Sequence, residues 1–330
     1  MTEIVAVDIG GTHTRFAIAT IEGGQILSLS PEVTLKTAGH ASFQLAWEHF
    51  GEEAGRPLPR AAAICVACPI SGDVLKLTNN PWVIHPARLP EQLGVDRLSL
   101  VNDFAAVAHA VAQVEEGHLH HICGPDVPLP DKGVIGIVGP GTGLGVGGLL
   151  RTGAGAGGAD YHVLPSEGGH IEFAPLDSIE DAIARRLRPR FRRVSVERIL
   201  SGPGLVNIYE TLAAIEGRAI TLPDDKALWA AALDGSDALA VAALDRFCLS
   251  LGSVAGDVAL VQGASAMVIA GGLGYRLANH LPHSGFQERF TAKGRFEAMM
   301  NRLPVRLITH PQPGLLGAAA AFAQEHLHEH

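Results

Sequence analysis

Several residue classes are scarce in this chain, and each scarcity excludes something. Four cysteines, Cys65, Cys68, Cys123 and Cys248, in 330 residues are too few for a disulfide scaffold. Cys65-x-x-Cys68 sits in the apolar run 61–70 and has no second pair to complete a zinc site. It reads as buried structure rather than redox or metal chemistry. Aromatics make up 5% of the chain, which disfavours a binding surface of stacked rings. Basic residues number 25 against 34 acidic ones, a net charge of −9, so no general nucleic-acid partner is expected. Anionic substrates must then be met by local groups. Met1-Thr2-Glu3 lacks the basic start of a signal peptide. The uncharged stretches 133–150 and 258–275 are broken by eight and four glycines respectively, unlike a membrane helix. The sequence therefore reads as soluble and cytoplasmic, with no membrane partner.

Hydrophobic residues, by contrast, are 47% of the chain, ample for a core and incompatible with disorder. The length suggests two domains. Thirty-nine glycines are clustered and call for local explanations. Residues 4–8, 15–21 and 25–29 form a β-meander separated by Gly-rich turns, and 61–66 and 98–101 are further buried strands. Residues 41–53 and the alanine-rich 104–114 have helical character. Strand and helix alternate, which points to an α/β fold. The strand 134–138 then repeats the opening: apolar strand, Gly-Thr turn, returning strand 144–150. Two such units about 130 residues apart suggest duplication. Ser178 and Ser195 have capping character for helices that follow them, and 239–260 is a long apolar helix.

The chemistry concentrates at strand ends. In Asp8-Ile9-Gly10-Gly11-Thr12 a carboxylate ends a strand and the backbone then turns tightly. Glycine there lets backbone N–H groups face an anion, and the Thr12 hydroxyl adds a donor. A carboxylate beside phosphate needs a cation between them, and Mg²⁺ with its water shell suits Asp8. An ordinary hairpin turn is the alternative. Gly139-Pro140-Gly141-Thr142-Gly143 is a second Gly-Thr loop, so two loops could grip a polyphosphate. No Walker loop exists and no Gly-x-Gly-x-x-Gly opens a helix, which disfavours P-loop and nicotinamide enzymes. Gly271-Gly272 would let a flat ring lie on the backbone, or would simply turn strand into helix. Asn102-Asp103 closes a strand and opens a helix. Asp103 is either a helix cap or the base that takes a hydroxyl proton in phosphoryl transfer. Glu167-Gly168-Gly169-His170 fits sugar or metal binding, and Glu197 is either a capping-box acid or a ligand.

Together, the segments 8–15, 67–73, 101–104, 139–145, 166–170, 196–204, 269–272 and 313–317 resemble the bacterial ATP-dependent glucokinases, in the family's order and over nearly the whole chain. The resemblance implies the duplicated, ribonuclease H-like actin-like ATPase fold of the hexokinase superfamily, two domains with a central cleft. It places a small α/β domain at 1–112 plus 308–330 and a large one at 113–307. It implies that ATP, with Mg²⁺, phosphorylates the 6-hydroxyl of D-glucose, and it suggests a homodimer. Asn79, Asn102, Asp103, Glu167, His170 and Glu197 would bind glucose, with Asp103 also the base. Asp8, Gly10, Gly11, Thr12, Gly139, Gly141, Thr142 and Gly143 would hold phosphates, and Gly271 and Gly272 would flank adenosine. His13 replaces the Asn found in many members, and Pro140 removes one donor from the second loop. The Cys-rich zinc motif of the ROK sugar kinases is absent. Rival readings are a kinase for another hexose, a sugar-sensing regulator without turnover, and a chaperone-like ATPase. The last leaves Glu167, His170 and Glu197 unexplained.

Overall fold

The structure is a computed structural model that describes residues 1–330 except 69, 78–81, 156–157, 221–223 and 328–330, and except the side chains of 154, 155, 158 and 159. The chain divides into two units. The first is Met1–Glu115 with Thr152–Leu164 and His310–His330; the second is Glu116–Arg151 with Pro165–Thr309. The arm Thr152–Leu164, which groups with the first unit, has no counterpart in the expected boundaries.

In the first unit the strands lie in the order Gln25–Leu29, His13–Glu22, Thr2–Ile9, Ala61–Val66, Arg97–Asn102, and Val33–Lys36 also pairs with His13–Glu22. The last three strands in this order are parallel, with Asp8 opposite Cys65 and Val66 opposite Asn102. Their carboxyl ends therefore lie side by side, the edge where open α/β sheets bind ligands. Alternation along Thr2–Ile9 feeds two cores. Val5, Val7 and Ile9 join Phe16, Phe43, Trp47 and Phe50 on one face, while Ile4 and Ala6 join Leu315, Ala319 and Phe322 on the other. Burial on both faces explains why these strands read as continuous apolar runs. Helix Phe43–Ala54 starts at Ser42, whose hydroxyl accepts from the Leu45 amide at 3.3 Å, and ends at Gly55 with φ +62°. The final helix, Pro313–His326, crosses helix Asp103–Gln113 so closely that a Cβ on Gly317 would lie 1.7 Å from the Ala106 carbonyl oxygen.

The second unit repeats the order. Leu144–Gly155 lies next to Lys132–Pro140, followed by Ala264–Ile269 and Val305–Ile308, with Leu119–Cys123 at the edge. Lys132–Pro140, Ala264–Ile269 and Val305–Ile308 are mutually parallel neighbours, and Leu119–Cys123 is antiparallel. Helix Ala238–Gln262 is long and apolar enough to cross a membrane, yet 67% of its most apolar window is buried in the protein. Gly252 lets the Phe286 backbone approach to where a Cβ would be 2.1 Å from its carbonyl oxygen.

Two expected helix caps are corrected, although a helix does begin at Ser178. Asp177, not Ser178, caps helix Ser178–Phe191, accepting from the Ile179 and Glu180 amides at 3.0 Å each. Asp177 also receives Arg289 at 2.7 Å and Arg246, and buried Glu180 accepts from Arg246 at 3.4 Å and Ser250 at 3.3 Å. Burial opposes the Asp177 charge, but the Glu180 amide and the two arginines outweigh it and hold its carboxyl below the ordinary range. Ser195 opens only the short 3₁₀ turn Val196–Arg198, and its side chain caps nothing.

Candidate active site

The candidate residues fall into one group in each unit. In the first, Asp8 is the next-to-last residue of its strand and lies directly opposite Arg15, whose Nη1 donates to Asp8 Oδ2 at 3.4 Å. The turn that follows is braced. The Gly10 amide donates to the His13 carbonyl at 3.0 Å, and the Thr37 amide to the Thr12 carbonyl at 3.0 Å. A Cβ on Gly10 would sit 3.0 Å from the His13 carbonyl oxygen, so the turn closes tightly around it. Thr12 itself is exposed at the tip. Burial raises the Asp8 carboxyl above its ordinary range, while the charge and hydrogen bond of Arg15 and a hydrogen bond from the Cys65 thiol pull the other way.

Asn102 and Asp103 divide the labour at their helix start. Asn102 is the cap, its Oδ1 accepting from the Phe104 amide at 3.0 Å and the Ala105 amide at 3.4 Å. Its Nδ2 donates to the Cys68 carbonyl at 3.2 Å. Asp103 is the first helical residue, shares the Phe104 amide at 2.9 Å, and opens to solvent. Desolvation by the surrounding protein raises its carboxyl, the Phe104 amide lowers it, and the Asp8 charge raises it further, with a net upward shift. The capping alternative for Asp103 thus passes mainly to Asn102.

Three participants here escaped the sequence reading. Arg15 faces Asp8 across a hairpin, a register the Gly-Gly turn signals. Cys65 neighbours Asp8 on the parallel strand. Gly314, at the start of the last helix, lies so close that a Cβ there would be 2.8 Å from Asp8 Cγ and Oδ2. All four cysteines are free and buried, and burial together with the Asp8 and Asp103 charges drives the Cys65 thiol well upward, away from reactivity.

In the second unit the loop 139–143 joins two strands and closes on itself, the Gly141 amide donating to the Gly143 carbonyl at 2.8 Å. Thr142 is exposed at its tip. Gly271, with φ +78°, admits this loop: its Cβ would lie 2.4 Å from the Pro140 carbonyl oxygen and 3.0 Å from the Gly139 carbonyl carbon. Gly272 faces open space. Glu167 precedes and His170 closes the 3₁₀ turn Gly168–His170, with His170 Nε2 3.9 Å from Glu167 Oε2, and both side chains are largely exposed. The Val196 amide donates to the Ile171 carbonyl at 2.9 Å, so this turn and the one bearing Glu197 are adjacent. Glu197 is no capping acid: its Oε2 accepts from the Leu144 amide, 53 residues away, at 3.1 Å.

Among the described residues no three His, Cys, Asp or Glu side chains group to hold a metal. A divalent ion at Asp8 would rely on water and substrate oxygens, the manner in which Mg²⁺ is usually held. Asn79 lies outside the described residues.

The family model described as Glucokinase matches residues 5–325. A glucokinase from Zymomonas mobilis is 64% identical over 324 residues, covering 98% of each chain. One from Paramagnetospirillum magneticum is 39% identical, covering 97% of each. A crystal structure of glucokinase from an Antarctic psychrotroph superposes with a TM-score of 0.85 at 32% identity, covering 98% of this chain and 99% of that one.

Proposed function

The chain belongs to the bacterial glucokinase family, and from that premise we propose which of its residues carry the reaction. The fold is that of the actin-like ATPases, and the activity is ATP-dependent phosphorylation of glucose. We assign the base to Asp103. The observation that carries this is the division at the helix start: Asn102 does the capping, and the Asp103 carboxyl stays open to solvent at the carboxyl edge of the sheet. Phosphoryl transfer asks the protein mainly to align donor and acceptor, stabilise charge and take a proton. A carboxylate raised above its ordinary range, here by desolvation and the Asp8 charge, is a better base than a free aspartate.

Asn102, Glu167, His170 and Glu197 supply the amide, carboxylate and imidazole groups that pair with adjacent sugar hydroxyls, and Asn79 joins them by its match to the family segment. Specificity of this kind is sharp, because a missing hydroxyl strands a polar partner at a cost of about 1–3 kcal/mol. The loops 8–12 and 139–143 present backbone donors to phosphate, Gly272 faces open space that suits the adenosine, and Gly271 beside it admits the 139–143 loop. Asp8 would hold Mg²⁺ through water beside the nucleotide, where the ion would supply screening of the phosphate charges. A homodimer and a cytoplasmic setting complete the reading and rest on the family resemblance.

Steady-state phosphorylation with Mg·ATP, comparing glucose with mannose, fructose and N-acetylglucosamine, tests it. Preferred turnover of glucose is expected. Turnover of another sugar in preference would assign the chain to that hexose, and sugar binding without turnover would make it a sensor.

A further inference from the structure

We propose that Glu197 does two jobs with its two carboxylate oxygens: one engages the sugar, and the other holds the phosphate loop, so that the sugar site sets the geometry of the nucleotide site. The sugar half rests on the reading above; the loop half rests on the contacts below.

Leu144 is the first residue after the phosphate loop. Its amide donates to Glu197 Oε2 at 3.1 Å. The carbonyl of the same residue is packed against the other sugar-binding turn: a Cβ on Gly169 would lie 2.0 Å from the Leu144 oxygen. Leu144 is thus held from both sides by the two turns that carry Glu167, His170 and Glu197. A second bond ties the same segments, the Gly202 amide donating to the Gly141 carbonyl at 2.8 Å, and Ser201 locks the connection by donating to the Glu197 carbonyl at 2.8 Å. Gly143 completes the arrangement. A Cβ there would lie 2.4 Å from Glu197 Oε2, so only glycine lets the carboxylate reach the Leu144 amide.

A carboxylate offers acceptor sites on both oxygens, so bonding one to the loop leaves the other for a hydroxyl. Whatever a sugar does to the Glu197 side chain is then transmitted to the loop by a direct bond. The coupling is reciprocal, so nucleotide on the loop also fixes Glu197 for the sugar.

Two substitutions separate the jobs. Glu197→Gln keeps a carbonyl oxygen that accepts from Leu144 but loses the charge. Glu197→Ala loses both. ADP binding is measured by calorimetry without glucose, and KM values for glucose and ATP are measured beside it, with circular dichroism as the folding control. The expected result is that Glu197→Ala weakens ADP binding about fivefold or more while Glu197→Gln leaves it within about twofold, as loss of one charged hydrogen bond implies. Gly143→Ala should weaken ADP binding as Glu197→Ala does. Unchanged ADP binding in folded Glu197→Ala overturns the proposal, as does equal weakening in both Glu197 variants. The glucose KM decides the sugar reading separately: it should rise about tenfold in both Glu197 variants, and a glucose KM that stays put removes Glu197 from the sugar site while leaving the loop contact to be judged on ADP alone.

Discussion

Acidification should loosen the helix that carries Asp103, and His109, two turns along that helix, sets the size of the effect. His109 is buried, and its Nδ1 lies 3.0 Å from the Tyr161 hydroxyl. Burial lowers its pKa from 6.5 to about 4. The fold therefore favours the neutral imidazole. The stability this confers is complete above the unfolded pKa and is lost as pH falls from 6.5 toward about 4. The whole difference corresponds to about 3 kcal/mol, of which about 2 kcal/mol falls between pH 7.5 and 5.0. Urea unfolding of a Trp229→Phe variant isolates this unit, since Trp47 and Trp82 then report it alone. His109→Gln can still hydrogen-bond Tyr161 but has no proton to gain. It should be less stable at pH 7.5, and it should lose about 2 kcal/mol less than the parent on going to pH 5.0. Equal pH slopes in the two proteins would refute the argument that His109 is buried neutral.

Three further outcomes are expected. Gly314→Ala drives a methyl to 2.8 Å from the Asp8 carboxyl and should raise the KM for Mg·ATP about tenfold with little change in Tm, whereas an unchanged KM would free Asp8 from nucleotide binding. Arg246→Ala leaves Asp177 and Glu180 short of a cation in a largely buried network, and thermal melting should show a loss of about 3–5 kcal/mol; a loss under about 1 kcal/mol would mean the pair behaves as a surface bridge. Asp8→Asn removes a charge that raises the Asp103 carboxyl, so the acid limb of kcat should move to lower pH even though kcat itself falls. Because desolvation by the surrounding protein is the larger cause of that shift, the limb should not return all the way to the ordinary carboxylate range.

Local pattern carried much of this architecture. Ala61–Val66 was bounded correctly from sequence because all six residues are buried and apolar. Gln25–Leu29 was bounded correctly because turns flank it. Asp8, Asp103 and the two Gly-Thr loops were legible because strand ends and tight turns are written in consecutive residues. What escaped was made by distant chain segments. Local pattern left Glu197 either a capping acid or a ligand, because its Leu144 partner is 53 residues away. Ser178 and Asp177 are adjacent capping residues that sequence does not rank, and it is Asp177 that accepts from the Ile179 and Glu180 amides; that Arg246 and Arg289 also converge on Asp177 is nowhere written locally. Gly143, Gly169, Gly314 and Gly317 are needed for close approaches to remote atoms, and a glycine in sequence does not say what it must admit. The grouping of Thr152–Leu164 with the first unit is of the same kind: Gln324 donates to the Tyr161 carbonyl, and Tyr161 meets His109.

The central claim is that Asp103 takes the proton of the sugar hydroxyl. Single-turnover mixing of Asp103→Asn with Mg·ATP and glucose tests it most directly, because binding and chemistry separate in one trace. The expected result is a transfer step slowed about 10²-fold or more, with glucose affinity changed only a few-fold. Transfer at the parent rate would contradict it and return Asp103 to a residue of the helix start.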